Sequence, residues 1–366
     1  MTVGAPVLHL RGPVLVGPDD VRDQAWVVGG RLTFTRPGSG AASTTLAGWV
    51  VPGLVDAHCH VGLGPEGVVD EATAERQALT DRDAGALLLR DAGSPADTRW
   101  IDHRADLPVL IRAGRHIARP RRYVRNFAEE VEPDELVDTV RRQAARGDGW
   151  VKLVGDWIDR ASGDLAPCWP QPELQQAIAA AHDLGARVTA HCFGADCLRD
   201  LLDAGIDCVE HATGLDPTTA AVFARRGVAI VPTLVNIATF PAIADSAQEK
   251  FPRYARHMRD LHRRRYDTVR AAHEAGVSVF AGTDAGGSLA HGLIAHEVSQ
   301  LAAAGLPPVR ALDAACWGAR SWLGQAGLSE GAPADLLVCR EDPRVDLNTL
   351  RAPAQVVLRG AVRSRA

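Results

Sequence analysis

The sequence predicts a (β/α)8 barrel of the TIM type carrying a small β-sandwich domain built from both chain ends. Three observations predict it. Short apolar runs alternate with segments of helical spacing through the middle of the chain, the pattern of parallel strands with crossover helices. Histidines, a lysine and an aspartate stand at or near the C-terminal ends of those runs, where barrels of this kind place their chemistry. Residues 1–52 and 330–366 instead hold brief β-type runs broken by Gly and Pro, the texture of an antiparallel domain.

In chain order, Val14-Leu-Val, Ala25-Trp-Val-Val, Arg31-Leu-Thr-Phe-Thr and Ser43-Thr-Thr-Leu read as strands of the small domain, with a loop at Arg36 to Ala42. The barrel is expected over 53–329. Its first strand is the run from Val51 to His60, which opens on Pro-Gly and closes on His58-Cys59-His60. Later strands are read at Gly85 to Asp91, Pro108 to Gly114, Gly149 to Gly155, Arg187 to His191, Asp207 to His211, Val228 to Thr233 and Val277 to Asp284. Helical spacing is clearest over Pro133 to Arg146, Gln171 to Leu184 and Ser246 to Ala275. The runs from Ala334 and Ala354 return the chain to the small domain. An open doubly wound sheet is the alternative to a closed barrel.

Composition narrows the function. At 366 residues with 46% apolar and 23% charged content, the chain has the make-up of a globular protein with a sizeable core. No apolar run approaches the roughly 20 residues that cross a membrane. The start from Met1 lacks the basic and apolar blocks of a secretory signal, so a cytoplasmic protein is expected. Seven scattered cysteines without a Cys-x-x-Cys pair do not form a disulfide framework or a zinc module. A formal net charge of -5 argues against general nucleic-acid binding.

Side chains two apart on a strand share a face, so His58 and His60 point the same way and can converge on one divalent ion. His191, His211 and Asp284 end other strands, and a barrel gathers strand ends. Lys152 lies within strand four. Of 40 basic residues only Lys152 and Lys250 are lysine, and a buried ammonium beside metal ions is costly. A free amine with a depressed pKa can add carbon dioxide and become a carbamate, an anionic ligand that arginine cannot supply. A lysine reaching the rim or pairing with Asp156 is the plainer reading.

These residues resemble the amidohydrolase superfamily of metal-dependent hydrolases, in its prolidase-like and imidazolonepropionase-like branch. Pro52-Gly-Leu-Val-Asp-Ala-His-Cys-His, Val151-Lys-Leu, Ala190-His, Glu210-His, Gly282-Thr-Asp-Ala-Gly and Gly331-Ala-Pro-Ala-Asp-Leu-Leu-Val carry the likeness in order. The resemblance implies two divalent ions, zinc first. His58, His60, carbamylated Lys152 and Asp284 would hold the more buried one, and Lys152, His191 and His211 the other. It further implies a bridging hydroxide, with Asp284 as the catalytic proton carrier. The expected reaction is cleavage of an amide, as in a dipeptide or N-acyl amino acid. A one-metal deaminase is the alternative, as is a lactone or phosphotriester hydrolase on the same site. The chain departs from the branch at Arg121-Arg122-Tyr123 and at Gly155-Asp156-Trp157.

Substrate contacts are read less directly. The segment Arg112 to Arg125 holds six arginines, with His116 and Tyr123 among them. An arginine there could grip a carboxylate-bearing substrate while His116 or Tyr123 stabilises an oxyanion; the alternative is a solvated loop. His291 either contacts substrate or packs. The helix from Tyr254 to Tyr266 reads as a solvated face, and the cysteines as packing. A homo-oligomer is left open.

Overall fold

The computed structural model describes residues 7–38 and 43–364. Part of the expected loop, 39–42, and the first six residues lie outside the described residues. An eight-stranded sheet unites the two chain ends. In it Trp49–Pro52 pairs antiparallel with Leu336–Cys339, which pairs with Gln355–Leu358. Val7–Leu15 lies between Val21–Val28 and the strands Ser43–Ala47 and Trp49–Pro52. Leu10, Val14, Val50, Leu336 and Val357 are fully buried within this sheet's own core.

Between the ends lies the TIM-type barrel. Its strands are β1 (Leu54–Cys59), β2 (Ala86–Asp91), β3 (Val109–Arg112), β4 (Trp150–Val154), β5 (Arg187–Cys192), β6 (Cys208–His211) and β7 (Ala229–Val231). Parallel pairing runs β3 to β2 to β1 in one arc and β4 to β5 to β6 to β7 in the other. The arcs meet beside β3, where Asp148 N donates to Arg112 O (2.7 Å) and Ile117 pairs with Leu153. Around them stand helices α1 (Glu71–Asp83), α2 (Leu136–Arg146), α3 (Gln171–Asp183), α4 (Asp196–Ala204), α5 (Pro217–Arg226), α6 (Leu234–Ile237), α7 (Phe240–Ala247), α8 (Pro252–Glu274) and α9 (Ile294–Ala303).

Two elements differ from expectation. The eighth run takes its place between β7 and β1 through single parallel bridges, Ile230 to Val279 and Cys59 to Ala285, rather than a regular ladder. Its backbone comes so near β1 that a Cβ on Gly282 would lie 2.7 Å from His58 N, and Asp284 itself takes φ +60. The helix expected over Ser246 to Ala275 is two, α7 and α8, because Pro252 opens a fresh helix at its first position.

Candidate metal centre and its cavity

At the C-terminal end of β1 the two histidines do converge. His60 lies one residue past the strand, and its Nε2 is 3.2 Å from His58 Nε2. Asp284 Oδ1 is 3.1 Å from His58 Nε2 and 2.9 Å from His60 Nε2. Across the barrel mouth, His211 Nε2 lies 3.0 Å from His191 Nδ1, and the His58 and His211 rings are 5.2 Å apart. Lys152 is 1% exposed. Its charge acts on His58, His60, His191 and His211. Asp156 accepts instead from Phe193 N (2.9 Å) and Gly194 N (2.6 Å), so the plainer pairing for Lys152 is not the one built.

The outer nitrogens explain why the inner ones face inward. His60 Nδ1 is 2.6 Å from the Gly93 carbonyl, and His211 Nδ1 is 2.7 Å from Thr233 Oγ1. His58 Nδ1 lies 2.8 Å from Glu210 Oε2, a close charge contact without hydrogen-bond alignment. The carbonyl at His60 Nδ1 keeps the proton there and leaves Nε2 as a lone pair, the arrangement that prepares a histidine for metal. His191 is turned the other way, offering Nδ1 inward, while its buried Nε2 is without a hydrogen-bond partner and lies 4.0 Å from Asp156 Oδ1. The donor set therefore fits divalent cations.

The buried groups of the centre act on one another's charge. Burial and Lys152 act to lower the His58 pKa, but Glu210 and Asp284 outweigh them and it is raised. Burial lowers His60 and takes His211 to about 3, so both rings are neutral. Asp284 is held well below the usual carboxylate range by His58 and His60, against burial. Burial holds Lys152 below an ordinary lysine, against Glu210 and Asp284. Left-handed backbone at His211, Thr233 and Asp284, with φ of +67, +48 and +60, concentrates strain at this one place.

Supporting residues that the sequence reading missed complete the centre. Arg90 is fully buried and donates to Glu210 Oε1 at 2.6 Å and to the Ala57 carbonyl at 2.7 Å. Asn236 Nδ2 donates to Asp284 Oδ2 at 2.6 Å. Glu297, fully buried on α9, accepts from Leu234 N (2.8 Å) and Val235 N (2.9 Å), so it pins the turn that carries Thr233 and Asn236. Burial pushes the Glu297 pKa up to about 8. Since the folded value exceeds the usual 4.5, the folded state binds the proton more tightly and stability falls as pH rises from about 4.5 to about 8. Glu297→Gln is expected to flatten that part of the Tm against pH curve; an unchanged slope contradicts this role.

The centre opens into a cavity of about 290 Å³ lined by His60, His191 and Asp284 together with Tyr123, Phe127, Trp157, Phe193 and Tyr254. Tyr123 meets Trp157 edge-on at 4.8 Å and the His116 ring at 5.2 Å. His116 is fully buried 4.8 Å from the His60 ring, with neither ring nitrogen hydrogen-bonded. Tyr254 corrects the solvated-face reading of its helix, since it turns inward at the start of α8 to line the cavity. His291 is held elsewhere. Its Nδ1 is 2.7 Å from Asp81 on α1, which makes it a packing residue away from the cavity wall.

The arginines of that segment, unlike Tyr123, do not line the cavity. Arg112 is taken by Asp102 and Asp148, Arg115 by the Phe127 carbonyl, Arg119 by Glu132 and Arg122 by the Ala166 carbonyl. Arg121 and Arg125 are exposed.

A family model described as "Amidohydrolase family" matches residues 49–362. The chain belongs to the amidohydrolase family. It is 55% identical over 354 residues to the uncharacterized protein Rv2915c of Mycobacterium tuberculosis, covering 96% of this chain and 95% of that one. Among solved structures it is similar to a Xaa-Pro dipeptidase with bound methionine in the active site, at 22% identity and TM-score 0.81, covering 98% and 99% of the two chains. A putative prolidase from Bifidobacterium longum gives 22% identity and TM-score 0.81 over 99% and 95%. This amidohydrolase is thus a hydrolase of metal-binding type acting on a small molecule. Among its described residues no helix is long and apolar enough to cross a membrane.

Proposed function

We propose that this amidohydrolase cleaves a carbon-nitrogen bond of a small substrate with two divalent ions, zinc by preference, held by His58, His60, Lys152 as its carbamate, His191, His211 and Asp284. The observation that carries the proposal is the convergence of imidazole nitrogens and the Asp284 carboxylate at the barrel mouth, in a barrel whose β4 carries the buried Lys152. Imidazole and carboxylate donors with room for water suit zinc. All seven cysteines are free and buried, which supports a reducing, cytoplasmic setting.

When bound, two such ions lower the pKa of water and polarise the carbonyl under attack. The protein's own groups do the rest. Ionised Asp284 takes a proton and returns it to the leaving nitrogen, while Asn236 fixes its other oxygen. The His116 pKa is pushed well below the usual histidine value, first by burial, so its ring is neutral and has an N-H to offer a developing oxyanion. Tyr123 and Trp157, packed edge-on, line the cavity on this side.

The test is hydrolysis of a panel of amides, carbamates and ureas by metal-loaded protein, with lactones and phosphotriesters alongside. Release of amine supports the proposal; turnover of lactones or phosphotriesters alone overturns the carbon-nitrogen assignment. Within the panel, His116→Ala is expected to lower kcat about a hundredfold with KM little changed. A rise in KM at constant kcat would make His116 a binding residue instead.

A further inference from the structure

The chemistry of the cavity wall narrows the substrate beyond bond type. We infer that the site selects an uncharged substrate bearing a planar aromatic group and discriminates against one carrying a free carboxylate. This rests on the hydrolytic reading above. It also replaces the carboxylate-bearing substrate expected from the sequence, because the arginines that would have gripped a carboxylate are exposed or turned to other partners.

The wall away from the metal ligands is aromatic and aliphatic, with Tyr123, Phe127, Trp157 and Tyr254 facing Ile243 and Leu289. Among the described residues no lysine or arginine lines the cavity, and Asp284 is the one carboxylate that does. A substrate carboxylate seated against this wall, away from the metal ligands, would leave water without gaining a cationic side chain, which is unfavourable. A flat ring gains instead. Tyr123 stands at 64° to Trp157 and at 73° to Phe127, a cage of edges and faces into which another ring packs in the offset or edge-on way aromatic groups prefer. At about 290 Å³ the space lies at the small end of ligand pockets, enough for a ring and a short acyl or amine arm.

The experiment uses a matched pair, N-acetylphenethylamine and N-acetylphenylalanine, which differ only by the carboxylate. Binding to metal-loaded protein is measured by calorimetry, and hydrolysis by amine release. The neutral ligand is expected to bind at least about tenfold more tightly. Equal or tighter binding of the carboxylated partner, or binding of neither, overturns the inference. Tight neutral binding without cleavage would instead count against the proposed hydrolysis of amides and leave the selectivity standing. Ile243→Arg, which adds a cation to the wall on α7, is expected to tighten the carboxylated ligand at least tenfold; no change would show that the ring and its substituents do not lie against this wall. Loss of carboxylate binding in Arg121→Ala or Arg125→Ala would likewise overturn it, by showing that an exposed arginine serves the site.

Discussion

Asp284→Asn is expected to lower kcat about a thousandfold while the protein stays folded and retains metal. The size follows from removing a positioned proton carrier from the reaction. Folding survives because position 284 holds φ +60, a left-handed conformation that asparagine tolerates nearly as well as aspartate. Alanine there would add backbone strain to lost chemistry and confuse the two. An amide can still meet Asn236 through its oxygen, but it cannot accept the proton that the ionised carboxylate accepts. The check is steady-state kinetics with circular dichroism and metal content measured on the same preparation. Activity within tenfold of the parent would move the proton-carrying role to another group.

Lys152→Ala should have the second largest effect, at least about a thousandfold on kcat/KM, by a different route. The lysine is 1% exposed, and the charges of Glu210, Asp284 and the buried Arg90 act on it. Alanine leaves space in the barrel and removes the side chain proposed to become the bridging anion. Short carboxylates such as formate or acetate can enter that space and supply two oxygens. Partial recovery of activity with millimolar formate or acetate is therefore expected for Lys152→Ala and not for Asp284→Asn. Recovery with methylamine and not with formate would instead mark the parent group as an ammonium.

How much of this was legible in the sequence depended on whether a signal repeated. The metal-ligand candidates were readable because each sits at or near a strand end, and the alternation of a strand puts His58 and His60 on one side. Which nitrogen each ring offers was not readable, since His191 and His211 look alike in sequence and differ only in what surrounds them. Asn236, Thr233 and Glu297 gave no pattern; each is a single polar residue whose meaning comes from a turn between β7 and α7. Glu210 carried a signal that could have been used. It precedes His211 in a run otherwise read as buried strand, and an ionisable residue there needs a partner, which proved to be Arg90.

The misreadings have a common physical cause. Six arginines in one segment left a binding surface and a solvated loop both open, and a guanidinium satisfies carbonyls and carboxylates of its own fold as readily as those of a ligand. His291 was placed near Asp284 by sequence distance, while Asp81 on the facing helix fixes it. The eighth strand was placed correctly but expected to be regular, and its close approach at Gly282 and turn at Asp284 reduce its pairing to bridges. In each case local sequence described the residue and the neighbouring element decided its role.

The central claim, a two-ion centre built around Lys152, is tested most directly by elemental analysis of metal per chain. The protein is purified without chelator and in bicarbonate, with Lys152→Ala side by side. About two ions per chain in the parent, falling in the variant, is the predicted result. One ion in both proteins would contradict it.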